Sequence, residues 1–287
     1  MEVQMIEVHS LSYTYPGTRE KTIKNISFSI SKGEIFGFLG PSGAGKSTTQ
    51  KILNGILPSY KGSITVSGKE LNTLGRRYAE QIGVVFELPN LYSKFTALEN
   101  LNYFRALYSG NTENPMDLLE MVGLAADAKR RVSDFSKGMK MRLNFCRGLL
   151  NKPKILFLDE PTSGLDPVNA RILKEIIRAK KEAGMTIFLT THNMNTADEL
   201  CDRVAFLADG TITLCDSPRN LKLAHGEKTL LVEWMQNGKT ENQTFSFIEI
   251  KNNDRLFTIL NEYDLETIHT NEASLEDIFI ETTGQKL

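Results

Sequence analysis

Residues 40–47 read Gly-Pro-Ser-Gly-Ala-Gly-Lys-Ser and follow directly on the apolar pentad Ile35-Phe36-Gly37-Phe38-Leu39. No other feature of the chain restricts its fold as tightly. The pattern G-x-x-x-x-G-K-[ST] requires a strand that stops abruptly, a backbone that curls at Gly40, Gly43 and Gly45, and a helix that opens at the lysine. Successive N–H groups then converge on phosphate oxygens, and the helix turns its positive end toward the same anion. Lys46 adds a point charge for the β and γ phosphates, and Ser47 offers an oxygen to Mg²⁺. Pro41, Ser42, Ala44 and Thr48 complete the phosphate-contacting stretch. A chain of this length meets the pattern by accident about one time in a hundred. Between a strand and a helix it marks a nucleotide site.

A second apolar run, Ile155-Leu156-Phe157-Leu158, delivers Asp159 and Glu160 at its end. Asp159 is placed to hold Mg²⁺ through water, completing a cation site with Ser47. Glu160 points to the opposite face, where it can polarise an attacking water. Acidic residues after a strand also cap helices, but the glycine loop earlier in the chain favours the chemical role.

The remaining pattern supplies a frame for these two segments. The first thirty residues alternate apolar and polar (VHSLSYTY, then IKNISFSI), which predicts antiparallel strands. Helices are predicted from about Ser47 to Gly55, across Leu98 to Gly123 with a break at Ser109–Pro115, from Lys137 to Leu150, and from Val168 to Ala183. Buried strands are predicted at Ile155–Leu158 and Thr186–Leu189. Strands alternating with helices imply an α/β fold with a mostly parallel sheet covered on both faces. After about residue 220 the pattern changes. Thr229–Met235 and Thr240–Phe247 flank Asn237-Gly238, a hairpin signal. A helix at Asn253–Glu262, a strand at Leu265–His269 and a Ser274-capped helix ending at Gly284 complete a ββαβα module.

Composition agrees with a boundary there. Net charge is −1, yet residues 221–287 hold 12 acids and 6 bases, leaving the first 220 residues at +5. An overall acidic balance disfavours a nucleic-acid partner. Hydrophobic residues at 40% sustain a buried core. No run of about 18 apolar residues spans a membrane, and the opening MEVQMIEVHS, with two acids, predicts no secretory leader. Cys146, Cys201 and Cys215 form neither a disulfide ladder nor a metal pattern. His9, His225 and His269 lie away from the phosphate motifs, and Trp234 is expected in the core of the C-terminal module.

Asp159-Glu160-Pro161-Thr162-Ser163-Gly164-Leu165-Asp166-Pro167 resembles the Walker B and D-loop segment of ABC-type ATPases. Other segments match that family in order: Tyr15 at the aromatic position that stacks on adenine, Asp134-Phe135-Ser136-Lys137-Gly138-Met139-Lys140 at the signature, and Thr191-His192 at the switch histidine. The resemblance covers residues 1–220. It implies a P-loop ATPase fold with an antiparallel β subdomain, a helical subdomain at about 90–150, and a small α+β accessory domain at 221–287. The accessory segment, ending Ala273-Ser274-Leu275-Glu276-Asp277-Ile278-Phe279, looks like the tail of bacterial export-type, multidrug-efflux-like subunits.

The resemblance further implies a head-to-tail dimer that sandwiches two ATP molecules. A lone phosphate loop leaves one side of the γ-phosphate open. Ser136 and Gly138 would close the partner's site with a hydroxyl, a backbone N–H and a helix dipole. Glu160 would act as general base, His192 would position the γ-phosphate and water, and Asp166 would link the two sites. The partners expected are a second ATP-binding subunit, identical or related, and a transmembrane permease, at the cytoplasmic face of the membrane. Phe95, Leu98 and Leu101 follow Glu87 where the family docks its permease, and they are equally spaced as a helix's core face.

Two positions depart from the family. Lys137 stands where a glycine is usual, either adding charge near the phosphates or lying as a solvated surface group. Glu87, after Ile82-Gly83-Val84-Val85-Phe86, stands where a glutamine usually touches Mg²⁺ and senses the permease. A carboxylate there is expected to ligate the cation still. A soluble ABC-type ATPase is the alternative reading. Translation types carry two cassettes and chromosome types insert a long coiled coil, whereas 113 positions separate Lys46 from Asp159 with no heptad run between. A nucleotide-dependent regulator with little turnover is set apart by Glu160 and His192.

Overall fold

The computed structural model describes residues 3–225, 229–236, 238–271 and 273–285. The chain divides into two compact units, residues 1–217 with 285–287, and residues 218–284. In the first unit, β1 (Gln4–Tyr13) and β2 (Ile23–Ser31) precede β3 (Ile35–Leu39) and α1 (Lys46–Leu53). Next come β4 (Lys61–Val66), β5 (Lys69–Glu70), α2 (Leu71–Leu74), α3 (Arg76–Ala79) and β6 (Ile82–Val85). A helical stretch holds α4 (Ala97–Arg105), α5 (Pro115–Met121) and α6 (Lys137–Leu149). Then follow β7 (Ile155–Asp159), α7 (Pro167–Glu182), β8 (Thr186–Thr191), α8 (Met194–Leu200), β9 (Arg203–Ala208) and β10 (Thr211–Asp216).

Two sheets carry this unit. The first is antiparallel, in order β2-β1-β4-β5. Its alternation of buried and exposed residues is the mark of a sheet with one solvated face. The second has order β10-β9-β3-β8-β7-β6 and is parallel except for its edge strand β10. Every residue of β3 and of β8 is buried, so both strands read as unbroken apolar or threonine runs rather than alternating ones. The sheets meet through aromatic rings. Phe28 of β2 packs on Phe36 and Phe38 of β3 and on Phe188 of β8, with centroids 4.9–6.5 Å apart. Such pairs add to the area they bury.

Helix ends follow local chemistry. Thr96 and Glu99 make a reciprocal capping box at α4. Asn114 caps α5, with Pro115 at its first position. Ser136 caps α6 by accepting from the Met139 N–H, and Asp166 caps α7. The break between α4 and α5 spans residues 106–114, longer than the predicted 109–115, because the helix already stops at Arg105. Cys146 and Cys201 are buried free thiols, whose ionisation burial suppresses.

The second unit begins with α9 (Pro218–His225) and holds β11 (Thr229–Gln236), β12 (Lys239–Ser246), α10 (Asp254–Glu262), β13 (Asp264–Asn271) and α11 (Leu275–Thr283). Its antiparallel sheet runs β12-β11-β13. Val232, Trp234, Phe245, Leu256 and Ile259 form its core. The β11–β12 connection is tight, with Gln236 paired to Lys239 and Gly238 at φ 74°. Asn237 of the predicted turn lies outside the described residues. Ser274 and Asp277 form the predicted reciprocal cap on α11, and Gly284 ends it in the left-handed conformation. Among the described residues no helix is long and apolar enough to cross a membrane.

Candidate functional site

In the parallel sheet β3, β8 and β7 are neighbours, with Leu39 opposite Thr191 and Asp159 opposite Thr190. Whatever follows each strand therefore emerges at one edge, the carboxyl edge where open α/β sheets bind ligands. The glycine loop follows β3, Glu160 follows β7 and His192 follows β8. Together with Glu87, from the segment after β6, they line a cleft of about 220 Å³ bounded by Ser42, Lys46, Ser47, Thr48 and Asp159. Residues distant in sequence are brought together by strand order alone.

The loop itself is shaped for an anion. Gly45 has φ 108°, and a Cβ there would meet Ile23 Cδ1 at 2.6 Å and the Thr22 carbonyl at 3.1 Å, so only glycine lets the loop close against β2. Lys46 is buried. Its ammonium donates to the carbonyls of Gly40 at 2.7 Å and Pro41 at 3.0 Å. Burial holds its pKa below the usual lysine value, opposed by the charges of Glu160, Asp159 and Glu87. The lysine is thus held taut across the loop.

Ser47 Oγ donates to Asp159 Oδ1 at 3.3 Å. The Thr190 hydroxyl donates to the same oxygen and, at 3.2 Å, to Gln50 Oε1. Hydroxyl and carboxylate oxygens meeting in this way are the hard donor set that suits Mg²⁺, with Glu87 exposed on the same cleft.

Glu160 is the most constrained side chain here. It is 8% exposed and sits at φ 48°, a left-handed conformation that side-chain-bearing residues rarely adopt and that costs of order 1–3 kcal/mol. Both carboxylate oxygens are engaged. The Thr191 hydroxyl donates to Oε2 at 2.8 Å, and the backbone N–H of His192 donates to Oε1 at 2.8 Å. The His192 ring stands with Nδ1 2.7 Å from Oε1, and its side chain is 58% exposed. One carboxylate is therefore aimed from a kinked strand end, with an imidazole leaning on it from the solvent side.

The other predicted residues fall in two groups. The Tyr15 hydroxyl bonds Thr48 Oγ1 at 3.1 Å, and its ring stands edge-on to Tyr13 at 5.0 Å, placing an aromatic face beside the cleft. Ser136 and Gly138, at the start of α6, and Asp166, at the start of α7, do not line the cleft of their own chain. Asp166 is exposed, and hydrogen bonds from Asn169 hold its carboxyl below the usual aspartate range.

Gln50 and Thr190 are site residues that the sequence pattern does not single out, although the polar pair Thr190-Thr191 closing β8 just before His192 was a signal for Thr190. The segment around Glu87 is held by α6, where Asn144 Nδ2 donates to the Phe86 carbonyl and Arg147 donates to the Asn90 carbonyl, each at 2.8 Å. Beside it Tyr92, Phe95, Tyr103 and Phe104 form an aromatic cluster with centroids 4.9–6.2 Å apart. Phe95 is exposed, Leu98 half-buried and Leu101 fully buried, so the three residues divide between surface and core.

The sequence profile of the ABC transporter family matches residues 23–163. The chain is 52% identical over 285 residues to the fluoroquinolones export ATP-binding protein of Mycobacterium tuberculosis, spanning 99% of this chain and 95% of that one. The chain belongs to the ABC transporter family. It is an ATP-binding subunit, and an ATPase. The lantibiotic transport ATP-binding protein of Streptococcus pyogenes is 38% identical, over 73% of this chain and 90% of the other. Among solved structures, the ATP-binding subunit of an ABC transporter superposes with a TM-score of 0.69 at 29% identity, covering 77% of this chain and 92% of that one. A dimeric post-hydrolysis cassette bound to ADP and Pi gives 0.67 at 27% identity, covering 74% and 98%.

Proposed function

We propose that this ABC subunit powers export by a separately encoded membrane permease, acting as a head-to-tail dimer with itself or a related subunit at the cytoplasmic face of the membrane. The observation that carries the reading is the Glu160 carboxylate, kinked into the phosphate cleft and braced by Thr191 and His192. A water beside the γ-phosphate loses its proton to Glu160 while its oxygen attacks phosphorus. The bond to the β–γ bridging oxygen breaks, and ADP departs with that electron pair. His192 orients the water and the γ-phosphate. Lys46 and the loop N–H groups hold the β and γ oxygens, with Gly40, Pro41, Ser42, Gly43, Ala44, Gly45, Ser47 and Thr48 as the phosphate cradle. Tyr15 stacks on adenine.

Ser47, Asp159 and Glu87 are the residues that would hold Mg²⁺. The cation would supply charge neutralisation on the phosphates.

Ser136 and Gly138 close the partner's site from the N-terminus of a thirteen-residue helix, and Asp166 lies at the shared interface. In this reading residues 1–220 are the nucleotide-binding domain, with a helical subdomain at about 90–150, and 221–287 are accessory. The exposed Tyr92, Phe95 and Tyr103 face the permease, while Leu101 belongs to the core that supports them. Export is favoured by relatives named for fluoroquinolone export and Nod factor export.

The test uses Glu160→Gln. Turnover is expected to fall at least about 10²-fold with ATP binding retained. The same variant, drawn from detergent-solubilised membranes with ATP, is expected to bring down a multi-span membrane protein. Full hydrolysis by the variant would refute the assignment of the base. Recovery of ribosomes, DNA or nothing would transfer the function to a soluble ATPase.

A further inference from the structure

The last two residues of β8 brace two different carboxylates. Thr191 donates to Glu160, whereas Thr190, turned to the other face of the strand, meets Asp159, its partner across the β7–β8 ladder. Thr190 is fully buried and Gln50 is 2% exposed. The Thr190 hydroxyl stands against Asp159 Oδ1, 3.2 Å from Gln50 Oε1 and 3.4 Å from the Leu158 carbonyl. Ser47 Oγ approaches the same Oδ1 at 3.3 Å. Ser47 and Gln50 are three positions apart on α1 and so share a face. The helix that opens at the phosphate loop is therefore tied to Asp159 twice, directly through Ser47 and indirectly through Gln50 and Thr190.

Two asymmetries in this cluster point to the cation. Among the described residues the Gln50 side chain has no hydrogen bond besides the one to Thr190, although an amide can make four. Burying an amide so sparsely paired costs free energy that a hydrocarbon side chain of similar size would avoid. Asp159 is uneven in its turn: Oδ1 takes two hydroxyls, while Oδ2 has no donor among the described residues.

We propose that Thr190 and Gln50 are positioning residues that commit Asp159 Oδ1 to the protein and so leave Oδ2 for Mg²⁺. The inference rests on the cation site of Ser47 and Asp159 given above. A hydroxyl has a single proton, and the ionised oxygen takes it because charge-assisted bonds are the stronger. The Gln50 amide, a half-turn from the orientation in which it accepts, then donates its N–H to Thr190 Oγ1. The bonds run one way, from amide to hydroxyl to carboxylate, and each polarises the next. A carboxylate held by one oxygen keeps its orientation, so the cation meets a preformed ligand rather than a rotating one.

The test titrates Mn²⁺, a paramagnetic substitute for Mg²⁺, into the full-length Glu160→Gln chain holding ATP, and reads free Mn²⁺ by electron paramagnetic resonance. ATPase against Mg²⁺ concentration is measured in the chain with Glu160 intact. Thr190→Val keeps the shape and loses the hydroxyl. It is expected to weaken Mn²⁺ binding about tenfold and to raise the Mg²⁺ needed for half-maximal ATPase by the same factor. At saturating Mg²⁺ its turnover should return to within about twofold of the parent. Thr190→Ser, which has the hydroxyl, should restore the Mg²⁺ requirement. Gln50→Leu should weaken Mn²⁺ binding about threefold when Thr190 is present and not at all beside Thr190→Val, because the two act in series. Unchanged Mn²⁺ binding in Thr190→Val or in Gln50→Leu, no rescue by Thr190→Ser, or turnover lost equally at every Mg²⁺ concentration would each overturn the relay. If Thr190→Val does not fold, Gln50→Leu and Thr190→Ser decide the matter by the same readings. Asp159→Asn separates this inference from the site beneath it. Parental Mn²⁺ binding in that variant would overturn the cation site itself, whereas a loss there with none in Thr190→Val would overturn the relay alone.

Discussion

The carboxyl edge of the parallel sheet and the small unit at 218–284 solve opposite problems. At the edge the fold buries polar and charged groups that an ordinary core excludes: Lys46, Gln50, Glu160, Thr190 and Thr191 are all buried. Among the described residues of the second unit every buried side chain at the sheet is hydrocarbon or aromatic, from Val232 and Trp234 to Ile259. Burying polar groups costs free energy unless each finds a partner. At the edge they find one another: Thr190 reaches Asp159 and Gln50, Thr191 reaches Glu160, and Lys46 reaches two carbonyls. A buried polar network of this kind marks chemistry, while a purely apolar core marks packing.

Four substitutions test that contrast. Trp234→Ala removes the largest side chain of the second core and is expected to cost about 3–5 kcal/mol there. Hydrogen exchange should rise across 229–271 while β3 and β8 stay protected; a common loss of protection would erase the distinction between the units. Lys46→Ala should cost about 2–3 kcal/mol of ATP affinity, close to 10²-fold, since hydrogen bonds to charged groups are worth that much. Its melting temperature should not fall, and a large fall would recast Lys46 as a structural residue. Ser274→Ala removes the cap of α11 and is expected to cost about 1 kcal/mol, read as a lower denaturation midpoint with ATPase unaltered. The smallest effect is reserved for Glu87→Gln, which exchanges a carboxylate for an amide at the cation. It should raise the Mg²⁺ needed for half-maximal ATPase by about threefold. An unchanged requirement would place Glu87 outside the cation site.

The sequence disclosed the edge far better than the sheet behind it. The glycine loop, Asp159-Glu160 and His192 each require a strand to end where the structure ends one. The strands β4, β6, β9 and β10 gave weaker signals. Arg203–Ala208 is a short apolar run buried almost throughout, and periodicity alone does not tell such a run from a buried helical segment. Lys69–Glu70 is only two residues long and exists because β4 turns back on itself. Nor could spacing reveal that Glu160 adopts a left-handed backbone. In the second unit, by contrast, alternation and caps were local, and the order β11-β12-α10-β13-α11 followed from them, while the leading helix α9 did not.

One feature of that second unit bears on how the protein behaves when crowded. Strand β12 lies at the rim of its sheet, and its first six residues, Lys239 to Thr244, are all exposed and all polar. A rim strand offers unpaired backbone donors and acceptors to any extended chain that drifts past. Lysine and glutamate at such a rim make strand addition expensive, because each would have to shed its water to dock. The hydrophilic rim therefore disfavours the addition of a further strand at this edge.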